Sequence, residues 1–208
     1  MSFEAWLIFA AFWMVFVVTP GPNAVNCINN GMTFGFQRGL WGVLAILTQA
    51  TSFLFLSALG VTALIETSST LFYIAKLAGA VFLIFLGVRG WIMADRVVVA
   101  PLSQSRTIYV RALAIATINA KSVAGYLAAF SQFVQPGISI WGQMAAIVPT
   151  ALTITALSYT GYTGLGAWMG RVAYGAVMNK WFRRIMALFF ILYGLFLGFA
   201  TGPDMQRV

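Results

Sequence analysis

The sequence predicts an all-α integral membrane protein with six transmembrane helices, arranged as two inverted three-helix repeats in which helices 1 and 4 are interrupted. Three observations predict it. Of 208 residues, 61% are hydrophobic and only 8% are charged, where soluble domains carry about 25% charged residues. Apolar stretches recur along the whole length, which fits one polytopic domain over 1–208 better than a soluble domain with an anchor. Finally, segments of the first half have counterparts in the second.

The spans fall at roughly 3–33 (interrupted), 38–64, 70–93, 108–135, 139–168 and 180–200. The linker "MADRVVVAPLSQSRT" gathers charge, proline and serine near the middle, dividing a first repeat (about 1–93) from a second (about 108–208), with a basic linker at about 94–107. "KLAGAVFLIFLG", Lys76 to Gly87, lies on "RRIMALFFILYG", Arg183 to Gly194, without a gap. Three spans per copy is an odd number, so the copies insert with opposite topology.

Basic residues set the orientation. Arg38, Arg89, Arg96, Arg106, Arg111, Arg171, Lys180, Arg183 and Arg184 fall on one face of a six-span chain, and the other face holds Glu4, Glu66, Asp204 and Arg207. Lys and Arg are retained on the cytoplasmic side, so both termini are expected outside. The formal net charge of +8 is scattered at helix ends rather than gathered in a patch, which argues against a nucleic-acid partner and for membrane lipid. With no histidine and one cysteine, Cys27, disulfides within the chain and His/Cys metal clusters are excluded. Nor is a cofactor or an enzyme expected, since no Ser/His/Asp pattern appears. The tryptophans, Trp13 among them, fall mostly near predicted span ends, as an interfacial belt does.

The chemistry gathers at two breaks. In "VVTPGPNAVN", Pro20 and Pro22 stop the first helix near Val18 or Thr19, and Gly21 permits a turn. Pro22 suits the first turn of a new half-helix, whose free N–H groups and positive dipole end attract a carboxylate. Asn23 and Asn26 add amide groups one turn apart. In the fourth span, Asn119 is a weak helix former and Lys121 places a full charge inside an apolar segment. Lys76 sits early in the third span, where reaching back to the interface is an alternative to a buried role. The hydroxyl residues Thr48, Thr51, Thr150, Thr153 and Thr155 are candidates for the same cavity, although such groups commonly bond to their own helix carbonyls. Gln49 and Tyr159 are the stronger candidates. Gly166-x-x-x-Gly170 and Gly194-x-x-x-Gly198 are small-residue spacings that serve either packing within the bundle or a dimer face.

"TPGPNAVNCINNGMTFGFQRGLWG", "YIAKLAGAVFLIFLGVRGW" and "YVRALAIATINAKSVAGYLAAFSQFVQP" together resemble the LysE-type amino-acid exporters, in particular the homoserine/threonine-exporter branch, over nearly the whole chain. The resemblance implies a multi-pass protein of the bacterial inner membrane, with termini in the periplasm, that exports small amino acids or derivatives such as homoserine lactone, driven by the proton gradient and working as a homodimer. By the motif, Pro20, Gly21, Pro22 and Asn23 carry over, as do Lys76, Gly79, Gly87, Asn119 and Lys121.

Two departures matter. The family pattern has proline after the fourth-span asparagine where this chain has Ala120, which predicts a milder second break carried by Asn119 alone. No carboxylate sits at mid-membrane, since Glu4, Glu66, Asp95 and Asp204 all fall at predicted ends. A substrate ammonium must then meet carbonyls, hydroxyls or aromatic faces, which favours small neutral substrates over lysine or arginine. Lys76 and Lys121 are the candidate proton carriers. A metal-cation exporter would want carboxylate, thiolate or imidazole ligands that the spans lack. A non-transporting scaffold or regulatory subunit would have little use for buried lysines.

Overall fold

The computed structural model describes residues 1–67, 69–96, 108–135, 137–170, 172, 175 and 179–200. Every regular element among them is helical: α1 Phe3–Val18, α2 Pro22–Thr67, α3 Ser69–Ile92 with a 3-10 turn Met93–Asp95, α4 Ile108–Ile118, α5 Ala120–Phe133, α6 Ile140–Met169 and α7 Lys180–Ala200. α2 is broken once, at Gly35, whose φ of 77° and ψ of 170° suit only a residue without a Cβ. That break separates the two stretches expected as the end of the first span and the second span.

Three described helices are long and apolar enough to cross a membrane: Pro22–Gly60, Leu77–Asp95 and Ile140–Met169. Their outward surface is apolar. Leu157 is 70% exposed and Trp168 85%, which only a lipid-facing surface makes favourable. α1 and α4, at 16 and 11 residues, are too short to cross alone. Each stops at one of the breaks read from the sequence.

At the first break, α1 ends at Val18 with Thr19 as its C-cap in extended conformation, and α2 begins at Pro22. The Thr19 N–H donates to Val15 O at 2.9 Å, and the Thr19 hydroxyl donates to the same oxygen at 2.6 Å. The second break is one residue long, as the sequence predicts: Asn119 alone lies between α4 and α5. It leaves the helical region (φ −70°, ψ 102°), and its Oδ1 accepts from the Lys121 N–H at 3.2 Å, capping α5. Asn119→Ala is therefore expected to cost about 1 kcal/mol, read as a lower melting temperature of the purified protein. A change within error would mean that the break is held by other contacts.

Glycines set the closest helix approaches. A Cβ on Gly87 would lie 2.7 Å from Ala187 O and 2.6 Å from Ile191 Cγ1, while one on Gly194 would lie 2.9 Å from Ala80 O and 2.7 Å from Ile84 Cγ1. In the ungapped register of Lys76–Gly87 on Arg183–Gly194, these are the same three positions, contacting reciprocally across the α3–α7 seam. Gly194 thus serves packing within the bundle, as does Gly166 against Ile28 of α2.

An aromatic layer fills the bundle around α1. Phe9, Phe12, Trp13 and Phe16 pack with Tyr126 and Phe133 of α5 and with Tyr193 of α7, at centroid separations of 5.0–6.3 Å. Trp13 is fully buried, which corrects its sequence-based reading as an interfacial residue. Its Nε1 donates to Ala151 O and to Thr155 Oγ1, each at 3.1 Å.

Beyond the C-terminal end of α3, Asp95 pairs with Lys180 Nζ at 2.9 Å and Arg184 Nη2 at 3.5 Å, tying the 3-10 turn to the start of α7. The Lys180 and Asp95 side chains are about half exposed. Asp95→Asn is expected to change stability by less than about 1 kcal/mol, checked by thermal unfolding at low and high salt.

Candidate functional site

Both breaks open onto one cavity of about 330 Å³, a volume at the low end of the roughly 300–1,000 Å³ of small-molecule sites. Thr19, Pro20, Gly21 and Pro22 form one wall, and Asn119 and Lys121 another. α3 contributes Phe82, Phe85, Leu86, Arg89 and Gly90, with Met93 just beyond it, and α7 contributes Arg183, Ala187 and Phe190. Among the described residues, three cations line the cavity and no carboxylate does. The field inside favours an anionic group.

Lys121 is the best-defined element. Its Nζ donates to Phe16 O at 2.8 Å and to Thr19 O at 2.7 Å, and stands 5.1 Å and 5.9 Å from the ring centroids of Phe16 and Phe190. The last turn of a helix leaves four carbonyls without intrahelical partners and carries the negative end of the dipole. Breaking α1 at Thr19 creates that end inside the protein, and the lysine from the other break satisfies it. The Tyr162 hydroxyl donates to Val18 O, so neighbouring carbonyls of the turn are held from α6 as well. Arg183 donates through Nη1 to Ala94 O and Arg96 O at the cavity mouth.

The other sequence-predicted residues divide. Asn23, Asn26 and Gln49 are buried, at 3%, 1% and 2% exposure, but do not line the cavity. Asn23 Nδ2 donates to Ser122 Oγ at 3.4 Å, and Tyr159 lies beside it, buried in the same region. Both amide atoms of Asn26 and of Gln49 are without a hydrogen-bond partner, as is Asn30 Nδ2. Asn23, Asn26 and Asn30 recur at helical spacing and form a polar stripe on α2 behind the cavity wall. Lys76 is on α3, and its side chain lies outside the described part of the structure. The Thr48 and Thr51 hydroxyls bond to Leu44 O and Leu47 O of their own helix, while Thr150 and Thr155 accept from Trp6 and Trp13. These threonines serve structure.

Sequence reasoning missed Asn30, Arg89, Arg183 and Tyr162 as neighbours of the site. Asn30 was signalled by its spacing from Asn23 and Asn26. The two arginines were absorbed into the orientation argument, although they also stand on the cavity, near the C-terminal end of α3 and the N-terminal end of α7.

Long apolar helices, two interrupted elements meeting at a basic cavity and a lipid-facing exterior define a helical membrane transporter, a class in which broken helices supply the binding groups. Comparison with known proteins makes this specific. The sequence profile described as LysE type translocator matches residues 14–201, and the chain belongs to that family; it is a transporter and not an enzyme. It is 31% identical over 179 residues to an uncharacterized membrane protein of Vibrio cholerae serotype O1, covering 82% of this chain and 85% of that one. It is 25% identical over 203 residues to the homoserine/homoserine lactone efflux protein of Salmonella typhimurium, covering 96% and 98%. A leucine efflux protein of Enterobacter sp. is 30% identical over 156 residues, 73% of each chain. No solved structure matches.

Proposed function

We propose that this chain is a secondary exporter of small neutral amino acids or their derivatives, of the homoserine, threonine and homoserine lactone type, driven by the proton-motive force. The observation that carries the reading is the cavity where the two breaks meet, walled among the described residues by three cations and no acid. A carboxylate finds partners there, and a substrate with a second positive charge is disfavoured. The efflux activities named for the Salmonella and Enterobacter relatives support the direction of transport and the substrate size.

The architecture belongs to the same proposal. α1 with the first stretch of α2, and α4 with α5, each make one interrupted span, giving six spans in two inverted repeats within a single domain. The reciprocal Gly87 and Gly194 contacts support a two-fold relation between α3 and α7. Retention of Lys and Arg on the cytoplasmic side puts the termini in the periplasm of an inner-membrane protein. A second copy as partner, Lys76 or Lys121 as proton carrier, and Thr19, Pro20, Gly21, Pro22, Asn119 and Lys121 as substrate contacts complete the reading. In it, Asn23, Asn26, Gln49 and Tyr159 support the site from behind.

The test is efflux from cells preloaded with labelled neutral amino acids and homoserine. Saturable efflux from wild type, reduced at least about tenfold in Lys121→Ala at equal membrane level, is the expected result for a charge that holds the two breaks together. Efflux that survives the substitution would remove Lys121 from the site. No efflux of any compound tested would sink the substrate assignment.

A further inference from the structure

The Lys121 ammonium occupies a position with the chemistry of a ligand site. Phe16 O and Thr19 O present two acceptors, at 2.8 Å and 2.7 Å, to one primary ammonium group, and the faces of Phe16 and Phe190 flank it. Thr19, Lys121 and Phe190 all line the cavity, so a molecule inside stands beside the lysine and Thr19, while Phe16 O lies behind the ammonium and is reached only when the lysine withdraws. Among the described residues, the cavity lining offers a substrate ammonium no carboxylate. The C-terminal turn of α1, with its exposed carbonyls and negative dipole end, is the group in the cavity best suited to a cation.

We propose that the Phe16–Thr19 carbonyl pair is the subsite for the substrate's primary ammonium, and that Lys121 fills it until substrate displaces it. This rests on the exporter reading and adds a specificity rule to it. In the empty state the lysine satisfies the carbonyls. On loading, the substrate ammonium takes its place, and the released Lys121 ammonium pairs with the substrate carboxylate. For a substrate with a free carboxylate, cation and acceptor thus stay partnered in both states, which keeps either from the cost of an unpaired buried group; a lactone or ester offers the released lysine only its carbonyl oxygen and is held less tightly. Gly21 leaves room for the movement, since even an added Cβ would stand 3.6 Å from Lys121 Cδ and 3.9 Å from Nζ. Amines with a blocked nitrogen, such as N-acetyl amino acids, are excluded. Lactones and esters, which keep the ammonium and lack the carboxylate, are admitted.

The test uses methylammonium, the smallest probe with the ammonium and no carboxylate, on the purified full chain. Lys121→Met opens the carbonyl pair and is expected to bind methylammonium at least about tenfold tighter than wild type, the worth of one charge-assisted contact. Tetramethylammonium, which cannot donate hydrogen bonds, should show no such gain. In wild type carrying nitrogen-15-labelled lysine, the Lys121 ammonium resonance is expected to shift when methylammonium is saturating. This second readout decides the matter if Lys121→Met fails to fold. Equal methylammonium affinity in the two proteins would mean that the carbonyl pair is not an ammonium subsite, and a Lys121 resonance that methylammonium does not move would make Lys121 a fixed structural tie; either result overturns the proposal. Efflux by wild-type proteoliposomes is scored separately. Its absence would count against the exporter reading, whereas efflux with no displacement would count against this inference alone.

Discussion

Gly31→Ala and Gly166→Ala are each expected to leave little folded protein in the membrane. A Cβ on Gly31 would stand 2.1 Å from Thr163 O and 2.9 Å from Ala167 N, and one on Gly166 would stand 2.2 Å from Ile28 O. All three contacts are backbone atoms of the facing helix, so no side chain can rotate away, and the helices themselves must separate. Overpacking costs about 1–3 kcal/mol where side chains can adjust. Here the cost should meet or exceed the top of that range, against a total stability of about 5–15 kcal/mol. The control is Gly161→Ala, on the same helix with nothing within 4 Å of the added carbon. That change should be neutral or stabilising by up to about 1 kcal/mol, the helix propensity difference. Thermal unfolding in detergent compares the three. Equal behaviour at Gly31, Gly166 and Gly161 would refute the close α2–α6 seam.

Trp13→Ala should cost about 3–5 kcal/mol, as removal of a large buried aromatic does. The indole is fully enclosed, with Phe9, Phe16 and Tyr126 at centroid distances of 5.5, 5.5 and 5.1 Å. Its N–H also anchors α1 to α6 through Ala151 O and Thr155 Oγ1. Trp13→Phe keeps much of the ring contact and loses only the donor, so about 1–3 kcal/mol is expected. Trp168, 85% exposed, gives the comparison: Trp168→Ala should move the melting temperature little. If the Trp13 variants matched Trp168→Ala, the aromatic layer would not be what holds α1 in the bundle.

The breaks were legible in the sequence because they arise from local chemistry. Pro20 and Pro22 determine by covalent structure where α1 stops and α2 starts, and Asn119 caps α5 through a bond to a residue two positions on. Which side of each helix faces the cavity was not legible. α1 and α3 are apolar nearly all round, so the pattern that orients a helix in water is missing. Gln49 and Tyr159 were therefore expected in the cavity, although they lie behind its wall. The partner of Lys121 was equally hidden. Sequence places its Cα, but its four-carbon stem reaches the end of a helix 102 residues away in the chain. An ammonium expected to wait for a carboxylate proves to hold carbonyls instead.

The aromatic layer has a consequence for the resting membrane. It surrounds α1 ahead of the break, whereas the cavity extends past the break to Arg89 and Arg183. A cell that stores energy as an ion gradient cannot tolerate a pore, and these packed rings fill the bundle on that side of the break. Each ring pair is worth about 0.5–1.5 kcal/mol beyond its buried area, so spontaneous parting of several at once is rare. A carrier whose cargo left through this end of the bundle would have to undo the same contacts that oppose leakage.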